Sequence, residues 1–398
     1  MSTAQSFLFF LVLLGLAAVG LRLVSRTPLL VPYPVLLAVG GIVIGLVPGL
    51  RLPPIGPDLI LLVFVPGLVF EASLNLDLAE MWRRVVPISL LATVGVFLTV
   101  LLIGVLAHVL LGLDWASGFL LGAIVAATDP IAVVNLLRQV HAPAGLEAIL
   151  DGESLFNDGT GVAVFSAVLG TILTGHPSAL DAGLRFLLVT AGGVLVGAGA
   201  GAAASVLLRL VREAELEILI TLVGAYGAYL AADVVHASGV VAVVVAGIVV
   251  AWNEARPGRR KTTQLRGFWS LLAFVLNAVL FLVIGVALPA TRLLSVAALA
   301  LGAYLIMLAV RAVPVYGLLG IVDLRARSIP WRWRHMTLWG GLRGGLSVAL
   351  ALSITGYTAV NASVSVLAYG MVVLSLVVQG GLLMPVARRL GLSQPAVD

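Results

Sequence analysis

Six ionisable residues stand inside long apolar runs of this chain: Glu71, Asp129, Glu153, Asp158, Arg311 and Arg343. A charge in such a place is costly and is usually kept for function. Three of the six fall in two polar clusters. In the first, Thr128-Asp129-Pro130, the proline cannot donate a backbone hydrogen bond, so the carbonyl of Ala126 loses its helical partner. Asp129, preceding the proline, is pushed away from helical dihedrals. An unwound turn here would leave carbonyls near Thr128 free to coordinate a small cation and bring the partial charges of half-helix ends to mid-depth. The plainer reading is a proline kink with a satisfied aspartate. The second cluster runs Asp151-Gly152-Glu153-Ser154-Leu155-Phe156-Asn157-Asp158-Gly159-Thr160. Ser154 and Asp158 are four apart and share a helix face, a hard-oxygen pair of the kind small cations prefer. Glu153 and Asp158 project roughly 140° from one another at 3.6 residues per turn. They face different neighbours, and Glu153 is available to a cation on another helix. Asn157 is neutral, so one carboxylate titrates at this position and not two adjacent ones.

Arg343 stands between Gly340-Gly341 and Gly344-Gly345, and glycine there permits a broken helix or close packing. A buried arginine needs a carboxylate. Asp129 is the candidate, which leaves Arg311 for Glu153, although the two pairings can be exchanged. Arg311 has a second reading as a helix-end residue that snorkels to the cytoplasm. Glu71 is either part of an ion site or an acid at the cytoplasmic rim. The five histidines lie near expected helix ends without metal-ligand spacing. Nucleotide-binding, metalloprotease and hydrolase signatures are lacking, so neither an enzyme nor a cofactor is expected.

These side chains need a lipid-embedded scaffold. Of 398 residues, 61% are hydrophobic and 10% charged, and mean hydropathy is +1.17, against about 25% charged residues in soluble proteins. A net charge of +5 could suggest nucleic acid in a soluble protein, but here the basic residues cluster in short loops between apolar runs. Spanning runs fall roughly at 4–22, 28–49, 57–75, 85–112, 115–137, 145–175, 183–208, 216–233, 236–253, 267–289, 293–320, 336–355 and 362–387, about 13 helices. The first has no basic region ahead of it and reads as a spanning helix, not a removable signal. With the N-terminus outside, Arg51, Arg185 and Arg292 are external and Arg311 and Arg343 lie within runs. The other 18 of the 23 basic residues are then cytoplasmic, as is the C-terminus. Cysteine is absent, so disulfides play no part. Runs like Gly193 to Gly201 predict close helix packing. Six spans, a linker span and six more give two halves of opposite orientation, and both interruptions fall in the fifth span of their half. Paired interruptions of that kind point to a transporter site.

Four segments together carry a resemblance: Phe64 to Asp77 (FVPGLVFEASLNLD), Ala127 to Val133 (ATDPIAV), Gly152 to Asp158 (GESLFND) and Gly340 to Ser347 (GGLRGGLS). In order and spacing the chain resembles the NhaP-type sodium/proton antiporters of the monovalent cation/proton antiporter superfamily. The resemblance implies an all-α polytopic inner-membrane homodimer with an NhaA-like inverted-repeat fold and two broken, crossing helices. Residues 1–82 and 216–289 would be dimerisation helices, 83–175 and 293–387 a mobile core, and 183–208 the linker; in ending at Asp398 the sequence departs from many relatives, and no soluble regulatory domain is expected. Asp158 would bind the ion with Ser154, Thr128, Asp129, Asn157 and Glu71 around it. Glu153 would pair with an arginine of a later helix, and Arg343 would lie near Asp129. Asn157 before Asp158, and a sole lysine (Lys261) in a loop, favour electroneutral exchange of one sodium, or lithium, for one proton. A potassium-selective or electrogenic antiporter on the same fold is the nearer alternative. A cation channel or a membrane sensor is the more distant one.

Overall fold

The structure, a computed structural model, describes residues 15, 33–45, 60–174, 179–255, 263–286, 297–326, 329–354, 357 and 363–392. The span expected at 4–22 thus lies outside the described residues except for Gly15, as do Arg51, Lys261, Arg292 and His176. All regular structure among the described residues is helical. In chain order the helices are α1 (Tyr33–Gly45), α2 (Ile60–Asn75), α3 (Leu78–Arg83), α4 (Val85–Leu111), α5 (Trp115–Ile124), α6 (Ile131–Gln139), α7 (Ala144–Thr174) and α8 (Ala179–Leu207). There follow α9 (Ala214–Val234), α10 (Gly239–Glu254), α11 (Thr263–Val286), α12 (Ala297–Ala326), α13 (Trp331–Trp339), α14 (Gly345–Ser353) and α15 (Ser363–Arg389). Seven of these are long and apolar enough to cross a membrane, and four shorter apolar helices accompany them.

Local chemistry sets the helix ends. Asp114 accepts the Ser117 N–H at 2.9 Å to start α5, and Ser238 accepts the Val241 N–H at 3.3 Å to start α10, each satisfying an orphan donor of the first turn. Gly112, at φ 69°, closes α4 in the left-handed region that glycine enters without penalty. Small residues set the crossings. A Cβ on Gly197 of α8 would strike the Ala242 carbonyl of α10, and Cβ atoms on Gly41 of α1 and Gly285 of α11 would each strike a backbone carbonyl of the facing helix. Lipid gives no hydrophobic drive between helices, so such backbone-to-backbone contact is what holds them.

One large apolar core joins α4, α5, α7, α12, α14 and α15 with α1 and α11. A second joins α2, α8, α9, α10 and α11 with Leu155 of α7. The runs expected at 115–137 and 336–355 are each interrupted. The first breaks between α5 and α6 at Val125 to Pro130, and the second between α13 and α14 at Gly340 to Gly344. A π-helical turn at Ser375 to Gly380 bulges α15, turning Ser375 and Gln379 toward the second break, the kind of local distortion often found at functional sites.

Candidate functional site

The two breaks meet. The Asp129 N–H donates to the Leu342 carbonyl at 2.7 Å. Arg343, 1% exposed, reaches back across the contact, its Nη1 donating to the carbonyls of Ala126 at 2.7 Å and Ala127 at 2.9 Å. These carbonyls follow the C-terminal end of α5, where partial negative charge collects, so the guanidinium neutralises the α5 half-helix end. Two sequence expectations are corrected here. Arg343 makes no ion pair among the described residues and so does not take Asp129 as its partner. The carbonyls near Thr128 are not free: Ala126 and Ala127 receive Arg343, and the Thr128 carbonyl receives the Ser154 hydroxyl in a short hydrogen bond. The physical reason is that an unwound turn frees acceptors, and buried acceptors recruit whatever donors are near.

Asp129 serves the opposite sign. Its Oδ1 accepts the Ile131 N–H at 3.1 Å, at the start of α6, and its carboxylate lies so close to Gly344 that a Cβ there would collide with it. Gly344 leads directly into α14. The carboxylate therefore stands at the N-terminal, electropositive ends of both α6 and α14.

Arg311 forms a two-pronged ion pair with Glu153, its Nη1 to Oε1 in a short contact and its Nη2 to Oε2 at 2.9 Å. The side chains are 7% and 1% exposed, so Arg311 does not snorkel. Its Nη2 also approaches the Thr337 carbonyl at 3.4 Å in the last turns of α13. The second break is tied further through α15. The Arg343 N–H donates to Ser375 Oγ at 3.1 Å, Ser375 Oγ donates to Gln379 Oε1 at 2.9 Å, and Gln379 Nε2 donates to the Trp339 carbonyl at 3.1 Å.

A cavity of about 360 Å³ opens beside this crossing, and Thr128, Asp129, Ser154 and Asp158 form one of its walls. Asp158 is half-buried and, among the described residues, has neither a hydrogen bond nor an ion pair. Asn157 is buried behind this wall and does not line the cavity. Its amide is committed to Thr128: Oδ1 accepts the Thr128 N–H at 3.2 Å and Nδ2 donates to Thr128 Oγ1 at 2.7 Å. Glu71 lines the same cavity and accepts from Asn75 Nδ2 at 2.7 Å and Ser270 Oγ at 3.3 Å.

Sequence reasoning passed over Asn277, Ser347, Arg138 and Asp151, all of which line the cavity. A signal existed for two of them. Asn277 is a lone amide amid apolar neighbours in its run, and Ser347 follows the second glycine pair. Arg138 counted only as an orienting charge, and nothing in its spacing ties it to Asp151.

Helices interrupted within an apolar bundle, with an unpaired carboxylate in a cavity at the crossing, define a membrane transporter of the secondary type. Comparison narrows the class. Residues 10–389 match the family described as sodium/hydrogen exchanger, transmembrane, and the chain belongs to that family, whose members are transporters and not enzymes. It is 34% identical to the Na(+)/H(+) antiporter ApNhaP of Aphanothece halophytica over 91% of this chain and 70% of that protein. It is 36% identical to the Na(+)/H(+) antiporter NhaP of Pseudomonas aeruginosa over 83% of this chain and 81% of that protein. Its fold is similar to a solved structure of the sodium proton antiporter MjNhaP1 from Methanocaldococcus jannaschii at pH 8, with a TM-score of 0.82 at 19% identity over 99% of this chain and 100% of the other.

Proposed function

We propose that this protein exchanges sodium, and also lithium, for protons across the cell (inner) membrane, one for one, by alternating access. Asp158 holds either a proton or a cation, and only the loaded, neutralised site crosses. The observation that carries this reading is the unpaired Asp158 carboxylate in the cavity beside Ser154 and Thr128. The charge balance supports the stoichiometry. Glu153 is neutralised by Arg311, Asp129 faces two helix N-termini, and Asn157 adds no charge. Asp151 is paired with Arg138 and Glu71 is held by the neutral Asn75 and Ser270, so of the carboxylates at the crossing itself Asp158 alone is left to titrate, and one proton is traded for one monovalent cation. Thr128, Asp129, Ser154 and Glu71 contribute oxygens around the ion, with Asn157 holding Thr128 in place. In this reading the bundle is one of about 13 helices in two inverted six-helix halves. It assembles as a homodimer with its N-terminus outside, and the core (83–175 and 293–387) moves against the dimerisation helices.

Proton flux in proteoliposomes tests it. A sodium or lithium gradient should drive proton counterflow at a rate unaffected by an imposed potential, and Asp158→Asn should abolish it in a protein that still purifies as a folded species. Parental flux from Asp158→Asn would refute the site. A potential-dependent rate would refute the one-for-one stoichiometry, a preference for potassium would refute the ion assignment, and current without proton counterflow would mean a channel.

A further inference from the structure

Buried polar atoms nearly always have a hydrogen-bond partner, so each one lacking it needs an explanation. Among the described residues nine buried side-chain atoms lack one. Only two of these belong to residues that line the cavity, Oδ1 of Asn277 and Oγ of Ser347. Both side chains are enclosed, at 3% and 1% exposed.

They come from different elements to one place. Asn277 shares a face of α11 with Ala273, Phe274 and Leu280, at spacings of three and four, and all four line the cavity. Leu280 packs so closely on Gly345 that a Cβ there would collide with it. This face of α11 therefore meets the first turn of α14, the turn that carries Ser347. The acidic side chains that line this cavity are Asp129, Asp158, Glu71 and Asp151, and the only cationic one among the described residues of the lining, Arg138, is exposed and paired with Asp151 and Glu147. The partial positive charge of the α14 N-terminus already faces Asp129. The space therefore suits a cation.

We propose that Asn277 and Ser347 are specificity-determining residues for the transported cation, neutral oxygens that complete its shell while Asp158 supplies the charge. This rests on the antiport reading above. An amide carbonyl and a hydroxyl are hard ligands that replace water around a small monovalent ion without altering the net charge of the loaded site. The number and strength of such dipoles sort ions by size. A small ion holds its ligands closer and loses more when one is removed, so sodium and lithium suffer more than potassium.

The test is proton flux from the full-length protein in proteoliposomes, with sodium, lithium and potassium in turn. Asn277→Ala and Ser347→Ala should each raise the apparent KM for sodium by roughly tenfold, the order expected for one lost partner of a charged group. In both variants the preference for sodium over potassium should fall. Asn277→Ser, which keeps an oxygen, should show a smaller rise, and it supplies the same readout if Asn277→Ala does not purify folded. Parental KM and ion preference in both alanine variants would overturn the inference. An equal rise for all three cations would overturn it too, since that is the mark of a structural role. A parent protein that moves no protons with any cation removes the antiport reading itself. A parent that exchanges while both variants match it removes only this inference.

Discussion

The backbone N–H of Asp129 donates to the carbonyl of Leu342 at 2.7 Å, so the two interrupted helices are joined break to break. Each break supplies the other with what it lacks. The first offers carbonyls at the end of α5, which take the Arg343 guanidinium from the second. The second offers the N-terminus of α14, which takes the Asp129 carboxylate from the first. Four half-helix ends would be untenable if exposed to lipid. Crossing them lets opposite ends compensate within protein, and it holds the cavity wall to which Asp158 belongs.

That contact depends on a missing side chain. The Gly344 backbone is extended, at φ −126° and ψ −153°, a conformation any residue adopts, so Gly344→Ala is a purely steric change against the Asp129 carboxylate. Overpacking of this kind costs about 1–3 kcal/mol. Here it should part the breaks and lower sodium-driven proton flux by roughly five- to a hundredfold, the equivalent of the same free energy. Parental flux from Gly344→Ala in proteoliposomes would show that the breaks do not need this approach.

The Glu153–Arg311 pair lends itself to a cycle. Arg311→Met leaves a carboxylate buried without its cation, which costs roughly 3–5 kcal/mol and should lower the thermal unfolding midpoint in detergent. Adding Glu153→Gln removes the stranded charge and should recover most of that loss. A double variant no more stable than Arg311→Met would mean that Arg311 acts through the Thr337 carbonyl, its other acceptor.

How far these relationships could be read beforehand differs by kind. The positions of both breaks were legible, because Pro130 removes a donor and the paired glycines around Arg343 weaken the helix there, effects local to the chain. The seven membrane-length helices among the described residues were legible from hydropathy alone. The partner of Arg343 was not, because sequence spacing fixes the face a side chain takes on its own helix but not the rotation of that helix against another. A carboxylate was the natural guess for a buried guanidinium. Broken helices also supply carbonyls, and although Pro130 marks that of Ala126 as freed, nothing in the sequence assigns it to Arg343. The π-turn that presents Ser375 to the Arg343 N–H was equally invisible, since it depends on how α15 packs.

Asn157 holds Thr128 by both ends of its amide, which Asp158 beside it does not do. Asn157→Ala should strand the Thr128 N–H in a buried position, costing about 1–3 kcal/mol, and should reduce flux by loosening the wall around Asp158. Asn157→Asp keeps an acceptor for the Thr128 N–H but buries a second carboxylate without a cation beside Asp158, so its loss of stability should be larger. Thermal unfolding of the two variants side by side decides the order, and equal stability of both with the parent would remove Asn157 from the support of the break.

Arg138 acts at longer range. Its Nη2 meets Asp151 at 3.1 Å and its Nε meets Glu147 at 3.4 Å, with the arginine side chain 54% exposed, so the pairs contribute about 0–1 kcal/mol and Arg138→Gln should leave the unfolding midpoint nearly unchanged. The same guanidinium lines the cavity with Asp151 and Glu71, where it opposes the entry of a cation. Removing it leaves the carboxylates to raise the local cation concentration, and the apparent KM for sodium should fall several-fold at low ionic strength. At about 1 M of an untransported salt the Debye length shrinks to about 3 Å, and variant and parent should converge. A fall in KM that persists at high salt would point to a local contact of Arg138, and an unchanged KM at low salt would show that the field at this wall does not govern loading.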